Sequence, residues 1–417
     1  MTPPVHRSPD LLVVGAGPAG GALALLAARR GLDVVIVEAK RFPRDKVCGE
    51  FVSAEGCAVL KRLGVLPALT GASETRTVDG VLPRIDRWRV TAPDGRAVEG
   101  ALPDFPGLGG SAIGWSRAAM DAALLDAARR AGATVLQPWT FADTQFERGR
   151  VHEAIVHPAG DPARAITLQP RVLVAADGRR SRLARTLHPP RTQDPSHADD
   201  GWWGIKTHRR GTPGTGPARD RVDLHLFRDG YLGVGGLEGN LTNLCLLVRR
   251  RALLDARGDL DGWLRRRAFE NPVARAELEC LEPASRWHAV GPLRFGPRRA
   301  AARGVWFAGD AAGTVDPFSG EGISHALLSA EALAPLVEGA AAAGGVRVDG
   351  RAFAQLSKEW EATWHASFAA ASRRTRWVGR LLGKPRLASL AVRTLASRPA
   401  WAGTVARWTR TASTARP

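Results

Sequence analysis

The stretch LLVVGAGPAGGALALLAARRGLDVVIVE, residues 11–38, decides the fold. An apolar run from Leu11 to Val14 leads into a glycine-rich turn, an alanine- and leucine-rich segment from Gly21 to Arg30, and a second apolar run from Val34 to Val37. This is the pattern of a strand, a tight turn, a helix and a strand. It predicts a βαβ unit and therefore a parallel sheet.

The turn itself, Gly15-x-Gly17-x-x-Gly20, predicts a dinucleotide site. Gly15 allows the sharp turn, Gly17 lets the backbone approach a pyrophosphate, and Gly20 permits close helix packing. Pro18 suits the first helical turn, where its missing amide proton is not needed. Glu38 ends the second strand, where a carboxylate can accept hydrogen bonds from both hydroxyls of an adenosine ribose.

Two more glycine-rich elements follow apolar runs downstream. The run from Val305 to Ala308 leads into a Gly-Asp-Ala-Ala-Gly turn at 309–313 and, after Pro317, a Gly-Glu-Gly turn at 320–322. An aspartate at a strand end can hold ribityl hydroxyls, and a glycine-rich turn that opens a helix directs amides at an anionic flavin edge. The third element is Ala176-Asp177-Gly178-Arg179, after the strand predicted from Arg171 to Ala175.

The remaining segments predict a second, different sheet. Val81 to Leu102 alternates and turns at Pro93-Asp94-Gly95, and Val222 to Val248 does so around Glu238-Gly239-Asn240, so both segments predict antiparallel strands. Helices are predicted from Trp115 to Ala131 and from Gly322 to Leu336, and loops at 187–196 and 211–221.

Composition excludes several classes of protein. With 417 residues, 44% of them hydrophobic and 24% charged, the chain can bury a large core and is not fibrous, peptide-sized or wholly disordered. The four cysteines form no CxxC pair and no zinc-spaced cluster, so we expect no metal site and no disulfide framework. Neither an export signal nor a membrane span is apparent, and we expect a cytoplasmic location.

The net charge of +18 is concentrated at the C-terminus. Residues 362–417 contain eleven basic residues and no acidic one. Two hypotheses stay open for this region: peripheral contact with an anionic membrane, or a helix packed on the core with its arginines in solvent. A nucleic-acid-binding protein is a remote alternative, and we expect no nucleic-acid partner. The apolar residues concerned are Trp360, Trp364, Phe368, Trp377, Leu381, Leu382, Trp401 and Trp408.

The three glycine-rich elements resemble, in order and rough spacing over about residues 10 to 340, the GxGxxG, DG and GD fingerprints of single-component FAD-dependent oxidoreductases. That family includes aromatic hydroxylases, geranylgeranyl reductases and flavin-dependent halogenases. The resemblance implies noncovalent FAD, with Asp310 at the ribityl chain and Asp177 supporting the flavin site. The full set expected at the cofactor is Gly15, Gly17, Pro18, Ala19, Gly20, Glu38, Lys46, Cys48, Asp177, Gly309, Asp310, Pro317, Gly320, Gly322 and Ile323.

The fold class implied is α/β: a Rossmann-like FAD-binding domain, an inserted antiparallel substrate domain and a C-terminal helical region. We place the FAD-binding parts at 8–80, 111–186 and 296–340. The substrate sheet is expected at 81–110 and 187–295, and the basic helical region at 341–417.

Two motifs look like the geranylgeranyl-reductase-like branch: Phe42-Pro-Arg-Asp-Lys-Val-Cys-Gly-Glu50 and the run from Asp310 to Ile323. Phenol hydroxylases of the family carry His and Gln where this chain has Gly313 and Glu321. Isoprenoid reductases carry Tyr-x-Trp-x-Phe-Pro, whereas this chain has Tyr231-Leu-Gly-Val-Gly-Gly, and the halogenase motif is missing.

We therefore expect an NAD(P)H-dependent monooxygenase that hydroxylates a small hydrophobic substrate, aromatic or polyketide-like. The alternative is an FAD-dependent reductase of carbon–carbon double bonds in an isoprenoid or lipid. No general base is identifiable. Cys48, His225 and Tyr231 are the candidate catalytic residues, while His325 is expected to be a packed helix residue.

Overall fold

The computed structural model describes residues 7–66, 75–77, 80–102, 111–187, 201–211, 217–348, 350–370, 373–375, 379, 385–398, 401 and 403–404. The strands are β1 (Leu11–Val14), β2 (Val34–Val37), β3 (Phe51–Val52), β4 (Thr75–Thr77), β5 (Gly80–Leu82), β6 (Arg84–Ile85), β7 (Arg87–Thr91), β8 (Ala97–Ala101), β9 (Ala112–Gly114), β10 (Thr134–Leu136), β11 (Trp139–Glu147), β12 (Arg150–Pro158), β13 (Ile166–Leu168), β14 (Val172–Ala175), β15 (Trp202–Arg210), β16 (Arg221–Phe227), β17 (Gly230–Gly236), β18 (Leu241–Arg249), β19 (Glu282–Pro283), β20 (His288–Leu293), β21 (Gly296–Pro297), β22 (Ala301–Ala302), β23 (Val305–Phe307) and β24 (Gly313–Thr314). The helices are α1 (Pro18–Arg29), α2 (Ala54–Arg62), α3 (Arg117–Arg130), α4 (Arg182–Leu187), α5 (Arg250–Leu254), α6 (Leu260–Arg267), α7 (Pro272–Leu278), α8 (Gly322–Ala342), α9 (Gly345–Val348), α10 (Gly350–Thr363) and α11 (Pro385–Ala396).

A six-stranded sheet in the order β10-β2-β1-β14-β23-β22 forms the first layer. Its first five strands run parallel, and β22 pairs with β23 in the antiparallel direction. Every residue of β1, β2 and β14 is buried, as expected for a sheet covered on both faces. The βαβ unit predicted from residues 11–38 is thus confirmed, and α1 packs against α3 and α8.

The second large sheet is eight-stranded, in the order β19-β15-β18-β17-β16-β7-β8, with β20 also paired to β15. Both predicted hairpins are present: β7 turns into β8, and β17 turns into β18 at Glu238–Asn240. A further turn after Phe227 separates β16 from β17, and this turn was not predicted from the sequence. The sheet is mainly antiparallel, but β7 and β16 run parallel because they come from distant chain segments.

Helices α5, α6 and α7 cover one face of this second sheet. Their side chains, among them Trp263 of α6, form a separate core with Ile205, Leu232 and Leu244 of the sheet. The opposite face is turned toward the first sheet and the functional cavity. The sheet β11-β12-β13 is a third unit, inserted between β10 and β14, that was not predicted from the sequence.

The described residues of the C-terminal region are mainly helical, as predicted. Trp360, Trp364 and Phe368 are buried in the main core, and the Trp360 indole donates a hydrogen bond to the Phe307 carbonyl at 3.2 Å. These three residues therefore cannot form a membrane-facing stripe, and the packing alternative holds for them. Trp377, Leu381, Leu382 and Trp408 lie outside the described residues. Within the described ranges, none of the helices is both long enough and apolar enough to cross a bilayer.

Candidate active site

A cavity of about 850 Å³ lies between the glycine-rich ends of the parallel strands and the open face of the second sheet. At one end it is lined by Gly17 and Pro18 of the β1–α1 turn, and at the other by α11 and Trp401. Sites in open α/β sheets form outside the carboxyl ends of the strands, which is where this cavity begins. The described chain thus brings the predicted motifs and the predicted substrate sheet to one space.

The first glycine-rich turn leaves a space that the protein itself does not fill. Gly15 has a φ of +98°, and a Cβ there would lie 2.6 Å from the Ala176 carbonyl oxygen. A Cβ on Gly20 would lie 1.8 Å from the Gly15 oxygen. At Gly17, by contrast, the nearest atom to such a Cβ is Nη2 of Arg117 at 3.7 Å. Two of the glycines are therefore required by the fold, whereas Gly17 keeps the cavity side open.

Glu38 holds this turn rather than lining the cavity. Its Oε2 accepts a hydrogen bond from the amide of Ala16 and its Oε1 one from the amide of Lys40, both at 2.9 Å. The carboxylate is buried at the end of β2, as the sequence predicts. Its contact with a ribose stays a prediction.

Three cations line the cavity: Arg117 beside Gly17, Lys46 beside Gly178, and Arg179. Arg117 is buried and forms an ion pair with Asp121 at 2.6 Å. Burial, with the charge of Arg117, lowers the pKa of Lys46 to about 8. Such a cluster at a helix N-terminus fits the two negative charges of a pyrophosphate.

Sequence reasoning missed Arg117 as a site residue. The signal available was its position at the start of α3, after the N-cap Ser116, whose hydroxyl accepts a hydrogen bond from the amide of Ala119 at 3.2 Å. Placing its guanidinium beside Gly17 required the packing of α3 against α1.

The motif that begins at Gly309 supplies a carboxylate and the N-terminus of a helix. Asp310 lies in a 3₁₀ turn, Gly309–Ala311, directly after β23, and lines the cavity. Gly322 and Ile323 begin the 21-residue helix α8 and also line it, so the positive end of the helix dipole points into the cavity. Gly320 has a φ of +69°, and a Cβ there would lie 2.9 Å from the ring of Phe51, so this position requires glycine.

Asp177 does not line the cavity, although its neighbours Ala176, Gly178 and Arg179 do. Its Oδ2 accepts a hydrogen bond from the amide of Arg182 at 3.1 Å, and burial raises the pKa of the carboxyl group. Asp177 thus shapes the loop after β14, and its predicted support of the flavin site stays a prediction.

The loop before β3 carries Cys48, which lines the cavity, and Glu50, which anchors it. Glu50 accepts hydrogen bonds from the ammonium of Lys206 at 2.6 Å and from the Arg117 amide at 2.8 Å, while its other oxygen lies 2.7 Å from Nε2 of His208. Burial alone would raise the pKa of Glu50, but the hydrogen bond to His208 and the charge of Lys206 hold it below its usual value. This cluster ties the loop that carries Cys48 to β15 of the second large sheet.

The two remaining catalytic candidates lie on opposite faces of the second sheet. Tyr231 lines the cavity, with its ring edge-on to Phe318 at 6.1 Å, and its buried hydroxyl has no hydrogen-bond partner among the described residues. His225 faces the helices instead, where its Nδ1 lies 2.9 Å from the hydroxyl of Thr91 and burial lowers its pKa to about 4. His225 therefore does not line the cavity and is not a site residue in this structure.

The walls around Tyr231 are almost entirely apolar. Strands β7, β16 and β18 contribute Trp88, Val222, Leu224 and Leu247, and β20 contributes Val290 and Leu293. Helix α11 lines the far side, where a C-terminal helix was predicted from the sequence but not its place at the cavity. Of the expected cofactor residues, those that line the cavity are Gly17, Pro18, Ala19, Lys46, Cys48, Asp310, Pro317, Gly320, Gly322 and Ile323.

Comparison with known protein families gives a match to the family described as FAD binding domain, over residues 9–346. Its position agrees with the span of the three glycine-rich motifs. FAD fits the cavity. Its dinucleotide part needs the open backbone at Gly17, the three cations that line the cavity and the carboxylate of Asp310.

Curated proteins give further matches. The chain is 28% identical over 329 residues to Conditioned medium factor receptor 1 of Dictyostelium discoideum, with 76% of this chain covered, but it spans only 61% of the length of that relative. It is 30% identical over 331 residues to a menaquinone reductase of Mycolicibacterium smegmatis, covering 79% of this chain and 76% of the relative. It is 26% identical to digeranylgeranylglycerophospholipid reductase 2 of Methanopyrus kandleri, covering 86% and 83%.

Solved structures agree on the fold. A geranylgeranyl bacteriochlorophyll reductase-like protein from Thermoplasma acidophilum superposes with a TM-score of 0.74 at 19% identity, covering 94% of this chain and 93% of that one. PqsL from Pseudomonas aeruginosa, a probable FAD-dependent monooxygenase, superposes with a TM-score of 0.68 at 19% identity, covering 91% and 98%. At these identities the likeness concerns the architecture.

Proposed function

The chain belongs to the FAD-binding domain family and is an FAD-dependent oxidoreductase, and from that premise we propose that it reduces carbon–carbon double bonds in a long hydrophobic substrate, with NAD(P)H as the source of electrons. In the overall reaction, the double bond gains a hydride and a proton while NAD(P)H becomes NAD(P)⁺. FAD, when bound, supplies the reversible two-electron chemistry that links the two half-reactions.

One observation carries this proposal: the apolar cavity is continuous from the cofactor motifs to α11. A small aromatic substrate would fill only the part near Phe318, whereas a chain-like lipid would use the length from Phe318 to Trp401, beyond the residues assigned to FAD. The names of the relatives that match over most of the chain, a menaquinone reductase and a digeranylgeranylglycerophospholipid reductase, support the same reaction class.

The side chains of the protein bind and orient the cofactor and the substrate. Lys46, Arg117 and Arg179 would hold the pyrophosphate, and Asp310 the ribityl hydroxyls. Leu224 and Leu247 on the sheet face exclude water from the substrate chain. These roles are inferred from the positions of the side chains around the cavity.

Tyr231 provides a polar group within this apolar wall. Burial holds the pKa of Tyr231 well above its ordinary value, so its hydroxyl keeps its proton at neutral pH. It can donate a hydrogen bond to an oxygen of the substrate or deliver a proton as the double bond is reduced. Cys48 also lines the cavity, next to Glu50, and its thiol is a further group that could donate a proton.

Oxygenation, the reaction favoured from the sequence, remains the second candidate because of one feature of β17. Gly233 pairs with Leu224 and Cys245 on the cavity face and adds no side chain to the wall, which suits a substrate ring lying against the sheet. In that reaction the substrate, O₂, NAD(P)H and a proton would give a hydroxylated product, water and NAD(P)⁺.

Product mass separates the two reactions. The protein would be mixed under nitrogen with NADH or NADPH and either a polyprenylated quinone or an aromatic polyketide, and O₂ would then be admitted. A product two hydrogens heavier, formed without O₂, supports reduction. A gain of one oxygen atom, formed only with O₂, selects hydroxylation and overturns the proposal.

A matched pair of variants ties the result to the cavity. Leu224→Trp narrows the cavity wall and should lower turnover of the long substrate at least tenfold while the bound flavin is retained. Leu254→Trp, at an exposed site outside the cavity, should behave as the unmodified chain. Equal turnover in both variants would contradict this placement of the substrate.

A further inference from the structure

We propose that α11 and Trp401 form a docking surface for an anionic lipid bilayer and that the cavity opens directly onto it. This inference rests on the proposed function for its substrate, but the binding of vesicles can be measured independently of any reaction. The surface is defined here by Leu387, Leu390, Arg393, Arg398 and Trp401, and is called the α11 surface.

One side of α11 is anchored to the protein. Ala388 and Val392, one helical turn apart, are buried against Val90 and Val98 of the β7–β8 hairpin and against Leu226. The helix is therefore held in place as a wall of the cavity, and its other sides are fixed in orientation.

A second side of α11 lines the cavity and reaches solvent at the same time. Leu387, Leu390 and Trp401 all line the cavity, yet they are 39%, 48% and 53% exposed. Among the described residues only one other large hydrophobic side chain, Leu254, is exposed to this degree. Residues that are both lining and exposed mark the mouth of a cavity, and an apolar mouth favours entry of an apolar molecule.

The charge of the region indicates what covers this mouth. Residues 362–417 contain eleven basic residues and no acidic one. Arg393 and Arg398 are exposed beside the apolar residues, and the guanidinium of Arg398 lies 4.4 Å from the centre of the Trp401 ring. Arginine and tryptophan next to exposed leucines are typical of helices that lie in the interface of an anionic membrane. A nucleic acid would need the arginines but not the leucines.

Co-sedimentation tests the docking with three forms of the full chain. Vesicles would consist of phosphatidylcholine alone or with 30% phosphatidylglycerol, at low and at high salt. The unmodified chain should pellet with the anionic vesicles at low salt. Leu390→Glu/Trp401→Glu should lower the partition coefficient at least tenfold, whereas Leu254→Glu, the matched change at an exposed leucine elsewhere, should leave it unchanged.

The electrostatic contribution of the arginines to vesicle binding has an expected magnitude. Each arginine near an anionic surface strengthens binding about fivefold. Arg393→Gln/Arg398→Gln should therefore weaken binding to anionic vesicles roughly 25-fold, with flavin absorbance unchanged as a check on folding. A 20-base-pair DNA duplex is the competing ligand in the same assay.

Each outcome decides the proposal. Loss of vesicle binding in both α11-surface variants, but not in Leu254→Glu, supports it. No binding to anionic vesicles at low salt, equal effects of the three variants, or displacement by DNA at charge-matched concentrations overturns it. Vesicle binding without reduction of any polyprenyl substrate would contradict the proposed function alone, and reduction of short soluble substrates without vesicle binding would contradict the docking alone.

Discussion

The ammonium of Lys206 on β15 lies 2.6 Å from the carboxylate of Glu50 in the loop before β3, and both side chains are withdrawn from solvent. The contact joins the second large sheet to the loop that carries Cys48. A buried charge that loses its partner is costly, because its desolvation is then uncompensated. The alignment of the two halves of the cavity therefore depends on this pair.

Removing one partner should destabilise the protein strongly. We expect Lys206→Met or Glu50→Gln to lower the free energy of unfolding by about 3–5 kcal/mol, and the double variant by less than the sum of the two. Urea unfolding measures all three. Arg62→Ala, which breaks the ion pair with Glu331 at 2.7 Å on side chains 45% and 30% exposed, should cost under about 1 kcal/mol. Equal costs at both sites would contradict the role assigned to Glu50.

The glycines of the first turn should separate folding from cofactor binding. Gly17→Ala meets no protein atom closer than 3.7 Å, so the apo-protein should keep its stability while FAD binding is lost. Gly20→Ala places a Cβ against the Gly15 oxygen and should destabilise the fold itself. Flavin absorbance and thermal unfolding distinguish the two effects. Full flavin content in Gly17→Ala would refute the assignment of the turn.

Lys46 should make FAD binding depend on pH. With its pKa lowered to about 8, its ammonium is charged below that pH and attracts a pyrophosphate, and the free protein loses that charge above it. The affinity for FAD should therefore fall as the pH rises from 7 to 9. Titration of apo-protein with FAD measures this, and Lys46→Gln should flatten the profile. Lys61→Gln, at an exposed lysine, is the control and should leave the slope intact.

The Tyr231 hydroxyl should contribute to substrate handling rather than to stability. It is buried without a hydrogen-bond partner among the described residues, so Tyr231→Phe should leave the free energy of unfolding unchanged or slightly raised. Loss of a hydrogen bond to the substrate should lower kcat/KM roughly 3- to 10-fold for substrates that carry an oxygen near the reacting bond. A stability loss above about 2 kcal/mol with unchanged kinetics would show a structural role instead.

His325 should make the free energy of unfolding decrease at acidic pH. Its ring is stacked with Phe368 at 4.5 Å and Trp364 at 5.2 Å, and burial lowers its pKa to about 3. In the unfolded chain it takes up a proton near pH 6.5, so the stability present above pH 6.5 should be lost as the pH falls from 6.5 toward 3. The loss is at most about 1.4 kcal/mol for each pH unit.

The variant His325→Phe keeps the aromatic stack and removes the proton site. Its unfolding free energy, measured by urea denaturation between pH 7 and 4, should decline less steeply than that of the unmodified chain. His365→Gln, at an exposed histidine, should retain the original slope. Parallel curves for all three proteins would exclude His325 as the titrating group.

The sequence alone determined the parts of this protein that local geometry controls. The βαβ unit of residues 11–38, the aspartate at 310 after its strand and the helix from Gly322 all follow from apolar periodicity and from glycine positions within a few residues. The cofactor side of the cavity was predictable for this reason, because a nucleotide-binding turn is a local structure.

Only the tertiary structure decided which side chains meet across the cavity. Alternate residues of one strand share a face, so the odd numbers of His225 and Tyr231 suggest a common face. The two residues lie on opposite faces, because they belong to different strands of a hairpin whose register pairs Tyr231 with Leu226. Glu50 and Lys206 are 156 residues apart in the chain, and α11 lines the cavity while it packs on the distant β7–β8 hairpin. Strand register and long-range packing set these contacts, and neither is encoded in a short stretch of sequence.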